Sequence, residues 1–166
     1  MKTAFIIIDV QNILVETGFE TEKLLEKIAY LQDQARKQQI EIIYMQHIET
    51  PEALTSEDWQ LSPLLKRQAN EKVFQKRYNS IFKETGLKEY LDQQGIEQLV
   101  LCGMQTEYCV DTSVKVGFEY GYKLVIPEGV VTTFDGEDIP AETLNEFYEN
   151  IWAERFADVL DYKSIF

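Results

Sequence analysis

Four side chains able to carry a proton or a bond fall at telling places in this chain. They are Asp9 in "TAFIIIDVQN", His47 in "IEIIYMQH", Lys76 in "KVFQKRYNS" and Cys109 in "LCGMQTEYCVDTS". A carboxylate, an amine and a thiol brought to one place would supply a base, a cation and a nucleophile. Each also has a plainer reading. Asp9 would cap a turn, Lys76 would be a solvated charge in "QKR", and Cys109 would be a small buried hydrophobe. What sets them apart is a shared position: each follows an apolar, β-rich run, and Cys109 follows a run that breaks at Gly103 and restarts as a helix.

The elements that would hold these residues are readable from hydrophobic period. Strands are expected at 3 to 10, 40 to 47, from 72 to about Lys76, at 97 to 103, 122 to 127 and 157 to 161. Helices are expected over 20 to 39, with Leu24, Leu25, Ile28, Leu31 and Ala35 on one face, over 85 to 95, from the Cys109 stretch to about Tyr120, and from Pro140 to Arg155. The acidic stretch 128 to 142 reads as a solvated loop. Strands that are apolar on both faces and alternate with helices imply a mainly parallel sheet of about six strands covered on each side. The expectation is one three-layer α/β/α domain of Rossmann-like shape over residues 1–166, with its site at the carboxyl ends of the strands. An acid, a lysine and a cysteine then meet on one edge.

Composition narrows the partners. The formal charge of −13 argues against nucleic acid and anionic membranes, which need a positive surface. The opening "MKTAFIIIDVQN" is too short and wrongly flanked for a membrane span or signal peptide. Two cysteines, Cys102 and Cys109, suit neither a disulfide framework nor a metal knuckle, and with the other features they lead to a cytoplasmic protein acting on a small molecule.

Taken in order, "IIIDVQN", "QKRYNSIF" and "CGMQTEYCVDT" resemble the isochorismatase-like cysteine hydrolases, and the resemblance covers nearly the whole chain. It implies an Asp-Lys-Cys triad of Asp9, Lys76 and Cys109. Lys72 and Arg77 do not keep the family's spacing to Ser80 and Phe82. It also implies an oxyanion hole from the backbone N–H groups of Gln105 and Cys109, a cis peptide between Met104 and Gln105, and assembly as a homodimer or homotetramer. In this chemistry the helix start and Lys76 lower the thiol pKa, Asp9 takes the thiol proton and returns it to a leaving nitrogen, and a thioester awaits water.

The substrate is less constrained. Gln11, His47, Trp59 and Tyr108 are the candidates for holding it, while the other large aromatic residues read as core or subunit interface. Nicotinamidases of this superfamily hold a metal through an Asp and paired histidines. This chain has one histidine, so no metal and no cofactor is expected. Cleavage of a carbon–nitrogen bond is the favoured reaction. A vinyl-ether hydrolase of the isochorismatase type, an inactive relative binding a ligand or protein, and a Cys-His pairing of Cys109 with His47 are the alternatives.

Overall fold

The computed structural model describes residues 1–166. Its strands are β1 (Thr3–Ile8), β2 (Glu41–His47), β3 (Lys72–Lys76), β4 (Gln98–Met104), β5 (Lys123–Pro127), β6 (Val131–Thr132) and β7 (Asp158–Leu160). Its helices are α1 (Asn12–Thr17), α2 (Thr21–Lys37), α3 (Leu87–Gln93), α4 (Asp111–Glu119) and α5 (Ala141–Arg155). Every strand pairing is parallel, in the order β3-β2-β1-β4-β5-β7, with β6 extending the ladder of β4 beyond β5.

The period of two along β1 divides the core into two layers. Ala4, Ile6 and Ile8 face α3, α4 and α5 through Leu87, Leu91, Val114 and the fully buried Trp152. Phe5 and Ile7 face α2 through Leu24, Ile28, Leu31 and Ala35. Both faces of the central strands are thereby removed from water, which is why they read as continuous apolar runs. Leu25, expected on the same helical face, is only partly buried.

Two features depart from the expectation. Seven strands replace about six, because Val131 and Thr132, inside the stretch read as a solvated loop, pair with Gly103 and Met104. Val130, Val131, Thr132 and Thr133 are all buried; this short β-branched run is masked in the sequence by the acids on either side. The helix α1 was not expected at all, and its six residues are too few to show a helical period.

The chain winds from β1 outward to β2 and β3, then returns to the other side of β1 as β4. That reversal opens a crevice between the carboxyl ends of β1 and β4. Gly103 makes the two strands meet closely there. It has φ 121°, and a Cβ on it would lie 2.1 Å from Ile8 O, one residue before Asp9. Gly103→Ala is therefore expected to lower stability by about 3 kcal/mol or more, since backbone rather than a flexible side chain blocks the new methyl. Chemical denaturation checks this, and a variant as stable as wild type would mean the strands separate at little cost.

Candidate active site

Four adjacent strands, β3, β2, β1 and β4, end at this crevice, and each delivers one group. Lys76 is the last residue of β3 and His47 the last of β2, paired in register. Asp9 follows β1 with φ 52°, a left-handed conformation that Asp tolerates better than most residues. Its N–H donates to Met45 O at 3.0 Å, which fixes the turn that aims the carboxylate sideways across the strand ends. Beyond β4 the peptide between Met104 and Gln105 is cis. Residues Thr106–Val110 then form a π-helical turn, in which Gln105 O accepts from Tyr108 N and Val110 N, and Cys109 lies inside it.

The Lys76 ammonium is the hub. Nζ lies 2.9 Å from Asp9 Oδ2, 3.1 Å from Cys109 Sγ, 3.0 Å from His47 Nδ1 and 3.0 Å from Tyr78 O. Lys76 and Asp9 are each 1% exposed. An ammonium has three hydrogens and no lone pair, so it satisfies at most three of these four neighbours at a time. The other ring nitrogen of His47, Nε2, lies 3.2 Å from Glu49 Oε1.

Burial sets the protonation of this cluster. It pushes the Cys109 thiol up to about 12, helped by the Asp9 charge and opposed by Lys76. It also raises the Asp9 carboxyl, against the pull of Lys76. The expected lowering of the thiol pKa is thus not found, because burial and a neighbouring carboxylate outweigh the cation. One proton shared between thiol and carboxyl makes the cluster neutral with Lys76. Moving it from sulfur to oxygen creates no net charge in a dry site. Asp9 Oδ1 is the one buried side-chain nitrogen or oxygen with no hydrogen-bond partner, which leaves its lone pairs free to accept a proton.

A cavity of about 210 Å³ opens over the cluster, with Asp9, His47 and Cys109 in its wall. Cys109 is 8% exposed, enough to reach a molecule inside it. Trp59, Tyr108 and Gln105 also line the cavity, Tyr108 standing 55% exposed at its edge. Gln11 is the exception among the expected substrate contacts. It is wholly buried outside the cavity wall, and its Nε2 donates to His47 O at 3.0 Å and Trp59 O at 2.7 Å. Its Oε1 accepts from His47 N at 2.9 Å, so its amide braces two walls and none of it faces a ligand. Lys72 and Arg77 are exposed, and Lys72 Nζ sits over the Tyr90 ring.

Three lining residues escaped the reading of the sequence: Leu14, Glu49 and Asn79. Asn79 lies inside "QKRYNSIF", and its Oδ1 is 3.9 Å from Cys109 Sγ. Glu49 closely follows the His47 strand end, the one signal that could have found it. Leu14 belongs to the unexpected helix α1.

The isochorismatase domain model matches residues 3–163. The chain belongs to the isochorismatase family. An isochorismatase of known structure from Pseudomonas putida KT2440 superposes with a TM-score of 0.92 at 28% identity, covering 99% of this chain and 90% of that one. The isochorismatase family protein YddQ of Bacillus subtilis is 28% identical over 86% of this chain and 86% of its own. Streptothricin hydrolase of Streptomyces noursei is 28% identical over 83% of this chain, which spans only 51% of that enzyme. As a member of the isochorismatase family the protein is a hydrolase. The metal of nicotinamidases does not fit here. Asp9, His47 and Cys109 are the one group of ligand-type side chains close enough to share an ion, and the Lys76 ammonium contacts all three.

Proposed function

We propose that the protein hydrolyses a carbon–nitrogen bond of a small amide-like molecule through a thioester on Cys109. The observation that carries this reading is Lys76 Nζ lying about 3 Å from both the Asp9 carboxylate and the Cys109 sulfur, just behind the wall that those two side chains form in a ligand-sized cavity. The thiol gives its proton to Asp9 Oδ1 as sulfur bonds to the carbonyl carbon. The oxyanion is assigned to the backbone N–H groups of Gln105 and Cys109. The carbon–nitrogen bond then breaks as Asp9 returns the proton to nitrogen, and the amine leaves. Water adds to the thioester, passing its proton to Asp9, and the carboxylic acid departs as the thiol regains a proton. Lys76 stays charged throughout and balances whichever of Asp9 and Cys109 is anionic.

Streptothricin hydrolase, among the relatives, carries hydrolysis in its name, which supports the class of reaction. The lining argues against a doubly anionic substrate such as isochorismate, since no Lys or Arg side chain faces the cavity. The direct test is to quench turnover of a panel of amides, ureides and hydroxamates and weigh the protein. An acyl adduct on Cys109 is expected, and substrate consumption with no such adduct would refute the thioester.

Turnover is also expected to survive dialysis against a strong chelator, because Lys76 fills the centre of the ligand-type cluster. Recovery of activity only on adding zinc or another divalent ion would refute the metal-free mechanism. No helix is long and apolar enough to cross a membrane. We further propose a cytoplasmic homodimer or homotetramer, an assembly supported by the exposed rings of Phe118, Tyr120 and Phe147. Light scattering reads it as a mass above 19.4 kDa.

A further inference from the structure

We propose that the substrate carries a positively charged group, an alkylammonium or guanidinium, held at the cavity mouth by Glu49, Trp59 and Tyr108; this rests on the hydrolase reading above. The charges in the cavity wall are unequal in what they can offer a ligand. Asp9 is committed to Lys76, and the Lys76 ammonium is buried behind the wall with each of its contacts made. Glu49 is different. Its side chain is 70% exposed, and its one polar partner is the His47 ring through Oε1. That contact uses one of its two carboxylate oxygens and no Lys or Arg pairs with it, so Oε2 is free for a ligand at the opening.

The rings around it suit the same partner. Trp59 and Tyr108 line the opening with Glu49, and an aromatic face attracts a cation while offering nothing to an anion. Trp59 is held in place by its own carbonyl, which accepts from both Gln11 and Gln46. A carboxylate on the substrate would meet Glu49 with no Lys or Arg in the wall to offset it. The formal charge of −13 adds a long-range field of the same sign, which draws cations toward the surface.

The test uses three p-nitroanilides of matched length, whose acyl chains end in ammonium (γ-aminobutyryl), methyl (pentanoyl) and carboxylate (glutaryl). The ammonium member is expected to exceed the methyl member by about tenfold in kcat/KM, and the carboxylate member to be slowest. Glu49→Gln should shrink the first ratio, keeping an acceptor for His47 while losing the charge. Glu49→Lys should reverse the order in favour of the carboxylate. Glu52→Gln, outside the cavity, should leave the order as it is. Equal rates for ammonium and methyl members in the wild type, or an unchanged order in Glu49→Lys, would overturn the proposal. A failure of all three anilides to be cleaved would count against the hydrolase reading, and the cation site is then read separately. Butylammonium should protect Cys109 from iodoacetamide better than butanol does, and equal protection by the two would overturn the cation site.

Discussion

Cys109→Ala is expected to remove turnover by about a thousandfold or more in kcat while the protein still folds, because Cys109 is the one thiol in the cavity wall and the proposed acyl carrier. The side chain borders a cavity on one side, so losing its sulfur leaves little new void. Cys102 should behave in the opposite way. It is wholly buried on β4 within the α2-facing core, and burial holds its thiol protonated. Cys102→Ala is therefore expected to cost about 1–2 kcal/mol of stability and to keep its activity. Asp9→Asn should be nearly as damaging to turnover as loss of the nucleophile, since an amide can neither take the thiol proton nor return it. The three variants are to be compared by kcat and by denaturant midpoint together. A Cys109→Ala protein that still turns over, or an Asp9→Asn protein at wild-type rate, would remove that residue from the mechanism.

Lys76→Met should slow alkylation of Cys109 by at least about tenfold at any pH from 7 to 9, the size of a single further pKa unit. The sign follows from the causes acting on the thiol. Burial and the Asp9 charge already raise it to about 12, and Lys76 is what holds it from rising further. In wild type the alkylation rate should thus still be climbing with pH above the ordinary thiol range of about 8.5, rather than levelling there. Without the cation, the climb should move to higher pH and hydrolysis should be lost. Stability should also fall, because the Asp9 carboxylate loses its buried partner, and a thermal melt separates that loss from the change in thiol chemistry. Lys72→Met, at the far end of β3 over the Tyr90 ring, should alter neither profile. Superimposable alkylation profiles for wild type and Lys76→Met would show that the lysine does not act on the thiol.

The contrast between Gln11 and Glu49 shows where local pattern stops being informative. Both follow a strand end, and the sequence singles out Gln11 for its place beside Asp9. In the folded chain Gln11 turns inward to satisfy the backbone of His47, a task that exists only because β2 passes beside β1. Glu49 lies past its strand end on an exposed loop and turns toward the same cavity from outside. A buried amide must find partners for its donors and acceptor, whereas an exposed carboxylate need not, and neither outcome is encoded in the neighbouring residues.

By itself the sequence determined the parallel sheet, the strands that bear Asp9, His47 and Lys76, the turn after Gly103 and the family. These follow from apolar runs and spacings, which act over a few residues of chain and survive in any window that contains them. The tertiary structure decided the protonation of the site. Whether the thiol is raised or lowered depends on the difference between a burial cost and two opposing charges, Lys76 3.1 Å from the sulfur and Asp9 within 4.8 Å, contributed by strands far apart in the chain. It also brought Lys76 against the His47 ring, a contact made only across the β2–β3 register. Through-space terms of this size grow as water is excluded, and how much water is excluded is settled only when both layers of the core have closed over the sheet.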